Sequence, residues 1–265
     1  MITKDNVLAY IKKIPPTPAI LKQTLAAINS GELAKAAKIA EEDLALKAYL
    51  KSLVNKPIYG FKNEVTDISQ IFGILGLNGS QQVLYHYMLT LLTPDKWNLF
   101  DLSANSFQDL QANLSHHWKK VLSHLNVDDK EIESAIALLP ASIIVCDALF
   151  GAVIEEVQLL RSVKALDYNT ILKRLNGLDL FDICALIAKK WEMEPRIGEI
   201  VQAGSGIKPS QDEQNNLLGK WMHLLLFFEL SQPATAAAGL NDFIDFQVDY
   251  VEDINDDFME IMEIG

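Results

Sequence analysis

The chain of 265 residues is 49% hydrophobic and 22% charged, a globular balance with a substantial core, which excludes a disordered or collagen-like chain. Two cysteines, Cys146 and Cys184, exclude a disulfide framework or a cysteine zinc ribbon and fit a reducing, cytoplasmic compartment. The net charge of −12 makes nucleic acid a poor partner, because an acidic surface repels phosphate.

The first residues, Met1 to Asp5, lack the apolar run of a secretory signal. Thr3 caps a first predicted helix that runs to Lys13. It stops at Ile14-Pro15-Pro16-Thr17-Pro18, since proline has no amide hydrogen and restricts the residue before it. Pro18 then opens a helix over Ala19–Asn29, which Ser30-Gly31 ends. Leu33, Ala36, Ala37, Ile39 and Ala40 give a third helix. Leu46, Leu50, Leu53 and Val54 give a fourth, with Asp43 as its N-cap. Pro57 and Gly60 close that run in a loop. A short helix follows from Ile68 to Leu75, with Asp67 or Thr66 at its start and Gly76 at its end. A separate helix runs from Ser80, its cap, to Leu92.

Residues 93–107 read as a connection between two lobes. Beyond it, helices are expected from Phe107 to Leu125 and from Asp128-Asp129 to Leu139. Between Ser134 and Ile154 the only charge is Asp147, and that length could cross a bilayer. Pro140, Ser142, Asp147 and Gly151 interrupt it and acids flank it, so a buried helix pair and no membrane is the expectation. By periodicity Ile143–Ile154 fits strand or helix; its helical neighbours favour helix. Leu180, Cys184, Ile187 and Trp191 share one helix face, and Leu217–Leu230 is almost wholly apolar, as a central core helix would be.

The end of the chain is distinct. Residues 239–265 carry nine acids and no Lys or Arg, whereas residues 1–100 carry 11 Lys against 8 acids. Phe243, Phe246, Tyr250, Ile254, Phe258, Ile261 and Met262 recur at three- and four-residue steps, the pattern of an amphipathic acidic helix. Such a helix either packs on its own domain or offers its stripe to a partner groove or a second copy of the chain. The expected fold is therefore all-α. One domain over residues 1–238 has lobes of about 1–92 and 105–230, and a tail helix follows over 239–265.

Chemistry is sparse. His117 and His124 share a helix face and Asp128 and Asp129 follow, so a His/Asp cluster could hold zinc or iron, but the spacing matches no dedicated motif. No Gly-x-Ser-x-Gly elbow occurs, and Cys146 and Cys184 lie in apolar runs as packing residues. Ala203-Gly204-Ser205-Gly206-Ile207-Lys208 lacks phosphate-loop spacing and reads as an interhelical turn.

The first lobe carries an ordered set of short motifs. These are Ile14-Pro15-Pro16-Thr17-Pro18, Asp43-Leu44-Ala45-Leu46, Leu50, Leu53 and Asn55, Tyr59-Gly60, and Ile68, Ile71 and Leu75-Gly76. In this order and spacing they resemble the HDOD family, the HD-related output domain of bacterial signalling proteins, over roughly residues 8–230. Leu44 stands for that family's proline and Lys56 for its serine. The resemblance implies a two-lobed HD-like bundle related to metal-dependent phosphohydrolases. Where the His-Asp pair of catalytic relatives would stand, this chain has Pro140-Ala141. The later Asp-His position falls near Asp179-Leu180, the downstream His pair near Gly204-Ser205, and the outlying His at Asn113. Pro140, Ala141 and Leu180 can neither ligate a metal nor move a proton.

The resemblance thus implies a non-catalytic signal-transduction module without cofactor, acting on other signalling proteins and able to form a homo-oligomer. The motif residues Pro15, Pro18, Asp43, Leu46, Asn55, Tyr59, Gly60, Leu75 and Gly76 take structural roles. Two alternatives stand beside it. One is a divergent phosphohydrolase using His116, His117 or His124 with Asp128, Asp129 or Asp147. The other is a receptor for a nucleotide second messenger, which needs a concave pocket with converging polar groups.

Overall fold

A computed structural model describes residues 2–13, 18–163, 166–191 and 193–263, apart from the side chain of Lys130. Pro15 therefore lies outside the described residues. The first helices are α1 (Lys4–Lys13), α2 (Ala19–Asn29), α3 (Leu33–Ala40), α4 (Leu44–Val54) and α5 (Ile68–Thr90). After a connection come α6 (Ala104–His124), α7 (Lys130–Ala135), α8 (Leu139–Gly151), α9 (Ile154–Val163) and α10 (Tyr168–Asn176). Then follow α11 (Leu180–Lys190), α12 (Pro195–Ala203), α13 (Glu213–Leu230), α14 (Pro233–Ala237), α15 (Val248–Val251) and α16 (Asn255–Ile261). Among the described residues there is no strand, and the expected all-α class holds.

Capping follows the sequence. Asp43 accepts from the amides of Ala45 and Leu46, Asp67 from Gln70, and Asp129 from Glu131 and Ile132. Asn55 reaches across its loop: its Oδ1 accepts from the Val65 amide at 2.8 Å, and its Nδ2 donates to the Val65 carbonyl at 2.9 Å. Gly60 ends the short turn after it with φ 68°, a left-handed conformation that favours glycine. Leu46 is buried in the lobe core, while Leu44, at the proline position, is 81% exposed.

Two boundaries differ from the sequence reading. The helices expected over 68–75 and from Ser80 join without a loop, because Gly76 alone makes the bend with φ 69° and ψ −174°. Ser80 is consequently no cap: it is buried in the second half of α5. The tail is not one helix. Val251 and Ile254 sit at φ −121° and −117° with ψ near 2°, and these breaks leave two short helices with a 3-10 turn between them.

The apolar stretch Glu131–Gly151 is long enough to span a membrane, but nearly all of it is buried inside the fold, where it forms most of α7, a 3-10 turn and α8. Helix α8 is almost wholly apolar, Asp147 and Ser142 apart, and buried nearly throughout, as expected of a central helix. Helix α13 supplies the other core wall, with Trp221 1% exposed.

The first lobe is fixed to α6 by polar contacts. The Ser52 hydroxyl donates to Gln108 at 3.1 Å and Lys56 pairs with Asp109 at 2.8 Å, which gives the serine-to-lysine change a tether. The connection between the lobes is held by Asp147. Its buried carboxylate accepts from the amides of Asn98 at 2.8 Å and Leu99 at 2.7 Å, and from Asn98 Nδ2 at 3.1 Å. Asp147→Ala strands these donors, so urea unfolding is expected to show a loss of about 2–3 kcal/mol. An unchanged midpoint would refute that anchoring role.

Candidate functional site

The positions that the resemblance assigns to the metal ligands of catalytic relatives lie in the core. Pro140 opens α8 and is buried, Ala141 is 1% exposed and Leu180 is fully buried. Cys184, one turn along α11, donates its thiol to the Leu138 carbonyl at 3.2 Å, and burial pushes its pKa up to about 12. Cys146 is likewise buried with its pKa raised by burial. Neither thiol supplies a nucleophile at neutral pH.

Asp179, beside these positions, is already engaged. It is fully buried, caps α11 through the Asp182 amide, and lies 3.1 Å from the Lys208 ammonium. Lys208 also reaches Asp182 at 2.5 Å, and Gln202 Nε2 donates to the other Asp182 oxygen at 3.1 Å. Burial pushes the Asp182 carboxyl up. The Lys208 hydrogen bond and the Asp179 amide more than reverse this and hold it below the usual range. Lys208 ends the glycine-rich turn expected over 203–208. Sequence reading missed its role, because its partners lie more than 25 residues earlier and no local spacing links them.

The downstream pair position is backbone-rich. The Gly204 carbonyl accepts from His223 Nδ1 at 2.8 Å, and His223 Nε2 accepts from the Gln247 amide at 3.1 Å. Burial holds the His223 pKa below its usual value. This histidine, surrounded by apolar residues in the sequence, joins the turn, α13 and the tail.

The alternative His/Asp set does not converge. His117 Nδ1 pairs with the buried carboxylate of Glu229 on α13, and His124 packs on Trp221 with ring centres 5.7 Å apart. His116 faces His117, and burial and then the neighbouring cations lower its pKa. Asp129 caps α7 and Asp147 holds the inter-lobe connection. Among the described residues, no group of three or more His, Cys, Asp or Glu side chains is placed to share an ion.

The tail stripe packs on its own chain. Phe243, Ile254 and Phe258 are buried, and Phe246, Tyr250 and Ile261 are partly buried against the core. Phe246 stacks on Phe227 at 4.3 Å, Tyr250 donates to the Asn216 carbonyl at 3.2 Å, and Lys220 pairs with Asp253 at 2.6 Å. What the tail presents to solvent is acid: Asp249, Glu252, Asp256, Asp257 and Glu260 are exposed. Of the two settings expected for the stripe, this is the one within the chain.

A cleft of about 560 Å³ opens where the bend of α5 meets α6 and the start of α7. Leu75, Leu122 and Val127 give it an apolar wall, and Asn78, Lys119, Asp128 and Glu133 its polar groups. Gly76 shapes it, holding a conformation in which only glycine is comfortable. Asn126, which also lines the cleft, has a left-handed backbone too, with φ 53°. Glu133 is 7% exposed; burial raises its pKa, opposed by Lys119 and a hydrogen bond from Asn78. Leu75-Gly76 was visible in the sequence as a motif, but its part in shaping a cleft was not.

Comparison with known proteins agrees with the motif order. The HDOD domain family model matches residues 14–205. No curated protein matches the chain. A solved HDOD domain protein of unknown function from Geobacter sulfurreducens superposes with a TM-score of 0.68 at 13% identity, covering 98% of this chain and 95% of the other. A structure from Shewanella amazonensis named "Putative phosphohydrolase" gives a TM-score of 0.67 at 16% identity, covering 97% of each chain. At such identities the likeness is one of fold.

Proposed function

Because the chain belongs to the HDOD domain family, we propose that it is a non-catalytic, cytoplasmic signal-transduction module that acts by binding other proteins. The observation that carries this reading is the Lys208 ammonium lodged between Asp179 and Asp182, beside a core in which Pro140, Ala141 and Leu180 fill the remaining positions. A hydrolytic HD site needs donors free to bind cations that activate water. Here the surviving carboxylate already has an intrinsic cation and a capping duty. The partners of such a module are signalling proteins or a second copy of the chain.

Purified protein is expected to carry substoichiometric iron, manganese and zinc by elemental analysis. It is expected to show no turnover of bis-p-nitrophenyl phosphate when those metals are added. Stoichiometric metal with phosphodiesterase turnover would overturn the proposal and favour a divergent hydrolase. Affinity capture from the native cell, followed by reconstitution with the purified partner, tests the interaction role directly.

A further inference from the structure

We propose that His223 is a proton-operated latch: taking up one proton frees the tail segment 245–251 from the glycine-rich turn over 203–208. The ring's two hydrogen bonds fix where its hydrogen sits. The Gly204 carbonyl, 2.8 Å from Nδ1, can only accept, so Nδ1 carries the hydrogen. The Gln247 amide, 3.1 Å from Nε2, can only donate, so Nε2 is bare. The neutral ring alone satisfies both partners. A proton added at Nε2 sets two donors against each other, and the Gln247 bond is lost. The ring is fully buried, so the new charge meets no water until the segment moves away.

The contacts of the segment converge on this ring. Phe246 stacks on it with planes 13° apart, and Tyr250 meets it edge-on. Gly206, at φ 71°, lets the turn come close: a Cβ there would lie 2.8 Å from the Gln247 Cβ. Helix α15 has four residues and no side-chain cap from Gln247, and so short a helix opens at low cost. Its release bares Phe227, whose ring stacks on Phe246. The tail stays anchored on both sides, by the Asn169 amide on the Phe243 carbonyl and by Phe258 against Trp221. Burial lowers the His223 pKa, opposed by the Gly204 carbonyl and by Asp245 of the tail. The cations nearby are engaged: Lys208 of the turn by Asp179 and Asp182, and Lys220 of α13 by Asp253. On α6, which packs along α13, His117 turns to Glu229 and His124 to Trp221. Burial raises the Tyr250 pKa, so that ring stays neutral. The latch is therefore closed at neutral pH. Below about 6.5 the released ring holds a proton that the latched ring lacks, so opening grows as pH falls. This device is independent of the proposed function, since tail release leaves the question of catalysis untouched.

The test is proton–nitrogen NMR of the full chain between pH 7.5 and 5.0. Long-range correlations read the imidazole, and amide exchange corrected for intrinsic rates reads the segment. At pH 7.5 the ring is expected as the Nδ1-protonated tautomer. Below pH 6.5 protection of the Gln247 and Tyr250 amides is expected to fall by up to about tenfold per pH unit, the signature of opening linked to one proton. His223→Gln keeps an oxygen able to accept from the Gln247 amide but does not titrate, and is expected to flatten that dependence. The Nε2-protonated tautomer at pH 7.5 would overturn the proposal. So would protection that does not change between pH 6.5 and 5.0, or a fall as steep in His223→Gln as in the parent.

Discussion

Gly219→Val is expected to cost about 4 kcal/mol or more and to leave little folded protein at 37 °C. A Cβ at Gly219 would lie 2.5 Å from Ala203 Cβ, 2.8 Å from the Ala203 carbonyl carbon and 3.0 Å from the Gly204 amide nitrogen. Two of those atoms are backbone, so no rotamer change relieves the contact and α12 must move off α13. That movement also pulls the Gly204 carbonyl from His223, one turn along α13, and strains the turn that delivers Lys208 to Asp179 and Asp182. Gly73→Ala is the control: Gly73 is helical and exposed, and an added Cβ there meets nothing within 4 Å. That change is expected to stabilise by about 0.5–1 kcal/mol through helix propensity. Thermal and urea unfolding of both variants checks the pair, and a Gly219→Val protein as stable as the parent would refute the close crossing.

The contrast between these glycines shows where sequence reading stops. Local physics was legible: Asp43 as a cap, Gly60 as a left-handed turn and the apolar faces of α4 and α11 depend on neighbours within a few residues. The order of the motifs gave the family and hence the bundle. What needed coordinates was contact between distant segments. Nothing near Gly219 announces that Ala203 crosses it, and nothing near Lys208 names Asp179. The tail shows the same limit from another side. Its spacing of apolar residues was correct as a buried stripe but wrong as a single helix, because Val251 and Ile254 dock in a broken backbone that periodicity alone does not encode. Glu133 was hidden for a related reason. An acid beside an apolar run reads as solvation until α5 and α6 close over it.

His86 gives the other large effect, a dependence of stability on pH. It is fully buried on α5, its Nε2 has no partner among the described residues, and its Nδ1 lies 3.4 Å from the Ser115 hydroxyl. Burial lowers its pKa from 6.5 to about 3, so the folded protein keeps the ring neutral while the unfolded chain protonates it. Below pH 6.5 the unfolded state therefore binds one more proton than the native state. Stability falls by up to about 1.4 kcal/mol per pH unit as pH drops toward 3, for a total of about 4–5 kcal/mol from this group. His86→Leu removes the titration and keeps an apolar side chain in the space. Ser115 still has its bond to the Gln111 carbonyl at 2.9 Å. The variant is expected to lie close to the parent at pH 7 and to gain on it steadily at pH 6, 5 and 4 in urea titrations. The difference between the two chains isolates His86 from the carboxylates that titrate in both. Parallel stability profiles over that window would mean that the ring gains a proton in the folded state, with an acceptor or water at Nε2 to receive it.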